Sequence, residues 1–301
     1  MEYRRLGRSG LKVSAVGLGS WLTFGSRLDE DTAKAIVGKA LDLGVNLVDT
    51  ADVYDLGKAE EQLGRLLAGV PRKDLVLASK VYFPTGDGPN DRGLSRKHVF
   101  ETVHASLKRL RTDYVDLFQC HRYDEETPVE ETVRAFDDLI RQGKIHYWGV
   151  SLWTAAQIDE AMETARAIGA QPPVSNQPPY NLLQRDIEAE VLPACRRRGL
   201  GLLAFSPLAQ GVLTGKYKGG AKPADSRLAD AQRNKFMGKY METELLAKVD
   251  AMAALAREAG LAPAQLALKW VLRRAEVASV LVGVTKPRQL EENAAAADAE
   301  L

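Results

Sequence analysis

One rhythm governs what this chain can fold into. Short apolar runs at 15–20, 46–49, 75–80, 115–120, 145–150, 174–177, 202–205 and 279–283 alternate with helix-length amphipathic stretches. The helical pattern falls at 31–43, 59–67, after Ser95, after Thr127, at 154–169, 186–198, 243–258, 263–274 and from 287 to the chain's end. Strand-then-helix repetition builds parallel sheets, because each crossover returns the chain to the same edge. Eight such units without a compositional break favour a closed (β/α)8 TIM barrel over an open doubly wound sheet. Residues 1–301 are therefore expected to form one barrel domain, preceded by a β-hairpin at 3–13 that turns at Ser9-Gly10. No tandem sequence repeat accompanies the rhythm.

Local signals mark several boundaries. Gly44, Gly143 and Gly169 stop helices. After Ser95, Val99, Val103, Leu107 and Leu110 form one apolar stripe. Thr127, Pro128 and Glu130 read as N-cap, first helical residue and capping-box partner, and Thr154 with Gln157 reads similarly. The long segments 82–94 and 206–240 carry no such pattern.

Charge and cysteine usage narrow the function. A formal net charge of +1 gives no footprint for nucleic acid or for a membrane surface. Cys120, Cys195 and the four histidines show no metal-ligand spacing, so no metal is expected. The N-terminus lacks a signal-peptide core and no run is long enough to span a bilayer, so a cytoplasmic protein with reduced thiols is expected.

In a parallel barrel the C-terminal strand ends meet at one mouth. Asp49 closes the second run, Lys80 the third and His121 follows the fourth, while Tyr54 lies in the loop after Asp49. Taken alone, Asp49, Thr50 and Asp52 could simply cap the next helix. Four reactive side-chain types at successive strand ends instead point to proton transfer. A phenol near pH 10 is a poor acid unless its surroundings change, and an ammonium beside it favours the phenolate. Lys80 is expected to lower the Tyr54 pKa, held in place by Asp49, with His121 orienting a substrate oxygen. None of the four is a good nucleophile here.

The stretches GLGSW, NLVDTADVY, LASK, YVDLFQCH, YWGVS, NQPPYN, FSPLAQGVLTGKY and GVTKPRQLEEN, in this order, resemble the aldo-keto reductase superfamily. GSWLTFG, RGLSRKH and YWGVSLW bring the chain nearest the branch of voltage-gated potassium-channel β-subunits. The resemblance covers residues 1–293. It implies a TIM barrel that binds NADP(H) in an extended pose and a catalytic tetrad on Asp49, Tyr54, Lys80 and His121. Two near misses agree with a site of this kind. Leu22 stands where a dinucleotide fingerprint needs its third glycine, and Gln210 where a P-loop ending at Gly215-Lys216 needs its first.

Further roles follow from the resemblance, residue by residue. Ser20 and Trp21 are implied near the nicotinamide, Ser151, Asn176 and Gln177 at its carboxamide, and Phe205 stacked on the ring. Ser206, Pro207, Leu208, Ala209 and Gln210 are implied along the pyrophosphate. Lys216 and Arg227 supply charge for phosphates, including the 2′-phosphate that separates NADP from NAD. Gly283, Thr285, Gln289, Glu292 and Asn293 are implied at the adenosine end, and Arg27 and Asp49 also fall among the cofactor contacts. Trp21, Tyr82, Phe83 and Trp153 are expected to join Tyr54 and His121 around the substrate, although each aromatic could equally be core.

The implied activity is NADPH-dependent reduction of an aldehyde or ketone. The alternative is an NADP(H)-binding redox sensor or channel-β-like regulatory subunit with little turnover; a flavin-binding barrel fits less of the pattern. Three departures from the channel branch favour an enzyme: His121 where that branch carries Asn, Leu152 where it carries Arg, and Arg27 where it carries Gln. The long N-terminal extension of that branch is also not expected here. The resemblance further implies a homo-oligomer. The family usually continues past the point where this chain ends at Leu301, so part of the pocket wall is expected to be missing.

Overall fold

The computed structural model describes residues 1–224, 226–230 and 234–299, so the expectation attached to Leu301 lies outside the described residues. Strands β1 (Tyr3–Arg5) and β2 (Lys12–Ser14) form the antiparallel N-terminal hairpin. Strand β3 (Val16–Gly19) leads to α1 (Glu30–Asp42), β4 (Leu47–Asp49) to α2 (Lys58–Leu66), and β5 (Val76–Val81) to α3 (Arg96–Leu110). Then come β6 (Val115–Cys120) and α4 (Val129–Arg141), β7 (Ile145–Ser151) and α5 (Ala155–Ile168), and β8 (Ser175–Gln177) and α6 (Val191–Arg198). Strand β9 (Gly201–Phe205) precedes α7 (Thr243–Glu258) and α8 (Pro263–Leu272), and β10 (Val277–Val282) precedes α9 (Pro287–Ala294). Strands β3 to β10 pair in parallel and in sequence order, and β10 closes on β3: a TIM barrel.

Alternation along the strands decides what reaches the inside. Leu47, Val76, Ala78, Leu117, Leu203, Ala278 and Leu281 fill the barrel, with Leu6 and Val13 of the hairpin plugging its lower end. Val48, Leu77, Phe118, Cys120, Trp148, Val150, Leu202, Val280 and Val282 face outward into the helix layer. The inward parity that starts at Leu47, Val76 and Leu117 therefore carries Asp49, Lys80, Gln119 and His121 toward the upper mouth.

The helix layer packs closely. A Cβ on Gly64 of α2 would stand 2.2 Å from the Arg109 carbonyl oxygen of α3, so only glycine permits this approach. Beside it, Glu60 is fully buried; it accepts from the Ser79 hydroxyl (2.5 Å) and pairs with Arg109 (2.7 Å).

Two capping expectations part ways. Thr154 and Gln157 form the reciprocal box at the start of α5, and Gly169 ends that helix with φ of 67°. The helix after Thr127 begins only at Val129, and the Thr127 hydroxyl donates to Asp124 at 2.8 Å instead. Asp124 is a better-placed acceptor, because it also anchors the Leu94 amide (2.7 Å) and so ties this turn to the loop after β5. The arginine run 196–198 in the last turn of α6 forms ion pairs with Glu276, Asp159 and Glu163.

Candidate active site

Lys80 sits at the centre of the mouth with no exposure to solvent. Its Nζ donates to Asp49 Oδ1 at 2.6 Å, to the Thr50 carbonyl at 2.8 Å and to Tyr54 Oη at 3.2 Å. An ammonium has three protons, and all three are used. The second Asp49 oxygen accepts from Gln177 Nε2 at 2.8 Å and from Gln119 Nε2 at 3.4 Å. The ring of His121 meets that of Tyr54 edge-on at 5.7 Å and that of Phe83 at 4.9 Å. Strands β4, β5 and β6 are neighbours in the barrel, with Asp49 in register with Ala78 and Lys80 with Gln119, which brings these distant residues together.

The electrostatics follow from the burial. Burial raises the Tyr54 phenol above its ordinary pKa by more than the Lys80 charge lowers it. The expected lowering by Lys80 is present but outweighed, since a half-wet phenol loses hydration for its anion that one shared ammonium does not restore. Burial pulls the Lys80 pKa down, yet the Asp49 carboxylate carries it above that of an ordinary lysine. Burial, then the charges of Lys80 and Arg122, holds His121 well below 6.5, so its imidazole is neutral at physiological pH. Its Nδ1 is buried without a partner. Behind the cluster, burial and the neighbouring Glu60 push Asp52 up to about 8.

A second arc of the mouth is built from β8, β9, β10 and β3. Strands β9 and β10 are in register at Phe205 and Leu281, so the turn after Phe205 and the loop at Gly283 emerge side by side. That turn is left-handed at Ser206, Ala209 and Gln210, with φ of 51°, 47° and 60°. Leu22, Asp55, Leu56 and Leu152 also have positive φ, so seven of the eight such non-glycine residues follow strand ends at this mouth. Strain of this kind persists where surrounding structure holds the backbone for a purpose. Gln210 Nε2 donates to Ser206 Oγ at 2.6 Å, and Gln210 Oε1 accepts from Arg227. Lys216 Nζ lies 3.3 Å from where a Cβ on Gly211 would stand. Partly buried Phe205 borders the turn, and the Ser20 hydroxyl is buried without a partner. A left-handed turn, two cations, an aromatic face and an orphaned hydroxyl could receive an anionic dinucleotide.

Other anticipated residues fall in several places. The Ser151 hydroxyl donates to the Gln177 carbonyl at 2.8 Å, keeping both at the inner face. Asn176, between two inward residues, points the other way, and its amide donates to the Trp153 carbonyl at 3.4 Å. A strand cannot turn adjacent side chains to one face, so Asn176 stands apart from the carboxamide group of residues. Trp153 is buried in the helix-layer core and meets Tyr123 edge-on at 4.9 Å, away from the aromatic wall. Tyr82 and Phe83 stay at the mouth, in edge contact at 5.3 Å. Trp21 packs against Phe236 of the long segment after β9 at 5.1 Å. Arg27 is exposed near Asp55. Gln289 Oε1 accepts from the Thr285 amide at 2.8 Å, Glu292 lies 3.7 Å from Arg288, and Asn293 is buried.

Residues 15–301 match the model of the aldo/keto reductase family. The chain belongs to that family. Similar proteins include a probable voltage-gated potassium channel subunit beta of Arabidopsis thaliana and one of Oryza sativa subsp. japonica. Each is 46% identical over 99% of this chain and 92% of its own length. A putative voltage-gated potassium channel subunit beta of Schizosaccharomyces pombe is 42% identical over 99% of this chain and 88% of its own. Membership makes the protein an aldo-keto reductase of the channel-β-like kind, in a family of nicotinamide-dependent oxidoreductases. Among the described residues, no helix is long and apolar enough to cross a membrane.

Three residues at the mouth escaped the sequence reading. Gln119 could have been found by parity, since it lies two positions before His121 on the inward face. Arg122 and Phe236 had no local signal.

Proposed function

We propose that the protein is an NADPH-dependent carbonyl reductase, with Tyr54 as the group that protonates the substrate oxygen. The observation that carries this reading is the single buried ammonium of Lys80 bonded at once to Asp49, Thr50 and Tyr54. That arrangement fixes the Tyr54 hydroxyl and gives any phenolate formed there an adjacent positive charge. A raised pKa keeps the phenol protonated until an alkoxide, far more basic, draws the proton off. Neutral His121 faces the same point and can donate a hydrogen bond to the carbonyl oxygen. Gln177 and Gln119 hold the far side of Asp49, so the ion pair cannot swing away from Tyr54.

NADPH, when bound, would supply the hydride for such a reduction. Ser20, Ser151, Gln177 and Phe205 would hold its nicotinamide end, Ser206 to Gln210 with Lys216 and Arg227 its phosphates, and Gly283, Thr285, Gln289, Glu292 and Asn293 its adenosine end. Trp21, Tyr82 and Phe83 give the substrate an aromatic wall. The names of the relatives support a second reading, a nicotinamide-binding regulatory subunit with negligible turnover. His121 favours catalysis between the two.

Following NADPH absorbance with a panel of aldehydes, in the parent and in Tyr54→Phe, tests the proposal. The variant is expected to bind NADPH as the parent does and to lose at least a hundredfold in kcat. Reduction at the parent rate by Tyr54→Phe would end the mechanism. Parent protein that retains NADPH yet turns over no carbonyl would favour the regulatory reading.

A further inference from the structure

Arg122 stands directly after His121 and its guanidinium lies over the Phe83 ring, 5.0 Å from the centroid. Phe83 itself touches the His121 ring, so the cation belongs to the same wall as the proposed acid. Its Nη1 donates to the His121 carbonyl at 2.5 Å, and no other hydrogen bond of its side chain is found among the described residues. A guanidinium carries five N–H donors, so most of this fork is uncommitted. Among the described residues no carboxylate lies within ion-pair distance of it. Most other arginines here have an acid, as Arg72 has Asp116 at 2.6 Å and Arg109 has Glu60 at 2.7 Å. Of the acids around Tyr123, Asp124 accepts from the Leu94 amide and the Thr127 hydroxyl, and Glu160 from the Tyr123 hydroxyl. Arg122 is only partly exposed, and its ionisable neighbours on the mouth side are Tyr54 and Tyr82. A partly desolvated cation with free donors, set beside aromatic rings and the reacting point, matches a planar anion.

Building on the reductase reading, we infer that the preferred substrates are carbonyl compounds that also carry a carboxylate, with Arg122 as the group that receives it. The Phe83 ring lies under the guanidinium and Tyr82 meets Phe83 edge-on, which suits an aromatic or otherwise flat body between the carboxylate and the carbonyl.

The test compares 2-, 3- and 4-carboxybenzaldehyde with the corresponding nitrobenzaldehydes, which have a similar flat substituent without the charge. The quantity read is the ratio of kcat/KM for each carboxy compound to that for its nitro counterpart. In the parent at least one isomer should give a ratio above one. Arg122→Leu should lower that ratio about ten- to hundredfold, the worth of a charge-assisted hydrogen bond. Arg122→Lys, keeping the charge but not the fork, should fall between. An unchanged ratio in Arg122→Leu overturns the inference. Binding of benzoate and benzamide, titrated through tryptophan fluorescence, judges the same residue without turnover. Parent protein should prefer benzoate and Arg122→Leu should not; equal preference in the two proteins overturns the assignment. If the parent reduces no aldehyde, the reductase reading fails, while the benzoate titration still decides whether Arg122 receives a carboxylate.

Discussion

Replacing Lys80 by Met removes one charge from a site where neither partner meets water. Lys80 is fully buried and the Asp49 side chain is 5% exposed, so the variant leaves a carboxylate facing two amides in place of an ammonium 2.6 Å away. Breaking a buried pair from one side costs about 3–5 kcal/mol, because the remaining charge keeps its desolvation penalty. For a chain of 301 residues, an unfolding entropy of roughly 2.1 cal/mol/K per residue gives about 0.6 kcal/mol/K. A loss of about 4 kcal/mol then lowers Tm by about 6 °C. The Asp49→Asn, Lys80→Met double variant should be more stable than the two single losses summed would allow, by about 2 kcal/mol, since no lone charge remains. Urea unfolding of the parent, both single variants and the double variant at pH 7.5 reads every term. A Lys80→Met loss below about 1 kcal/mol, or strict additivity at pH 7.5, would refute the account of this cluster.

Three further predictions concern neighbouring groups. Asp52, ordinarily near 3.8 and pushed up to about 8, binds one more proton in the folded than in the unfolded chain between those values. It therefore costs stability as pH rises, by up to about 1.4 kcal/mol per unit, so the advantage of Asp52→Asn in urea unfolding should widen between pH 5 and 7.5; a constant difference refutes the shift. With His121 held well below 6.5 and Tyr54 above its ordinary value, kcat for carbonyl reduction should be flat from pH 6 to 9, and an inflection near 6.5 would show that His121 titrates during turnover. Lys216→Met and Arg227→Leu should weaken NADPH binding at least tenfold while NADH binding changes far less, as isothermal titration would report; equal losses for both cofactors would move the 2′-phosphate contact elsewhere.

The repeating strand and helix pattern, with its alternation inside each strand, was enough to indicate a barrel and to place Asp49, Lys80 and His121 at one mouth. Both signals are local: period-two side-chain direction and βα connection length are properties of a few consecutive residues. The same alternation separates Asn176 from Gln177, and marks Gln119 as an inward residue two places before His121. What only the tertiary structure decided depends on neighbours far away in the chain. Thr127 gives its hydroxyl to Asp124, a carboxylate that the Leu94 amide from the loop after β5 holds in place. Trp153 is core because Tyr123 and the helix layer close over it. Tyr54 ends above its ordinary pKa because burial at the mouth outweighs the charge beside it, and Asp124 and Glu160 are taken by Leu94, Thr127 and Tyr123. Direction along a strand is written in sequence; solvation and competition for partners arise only once the mouth is assembled.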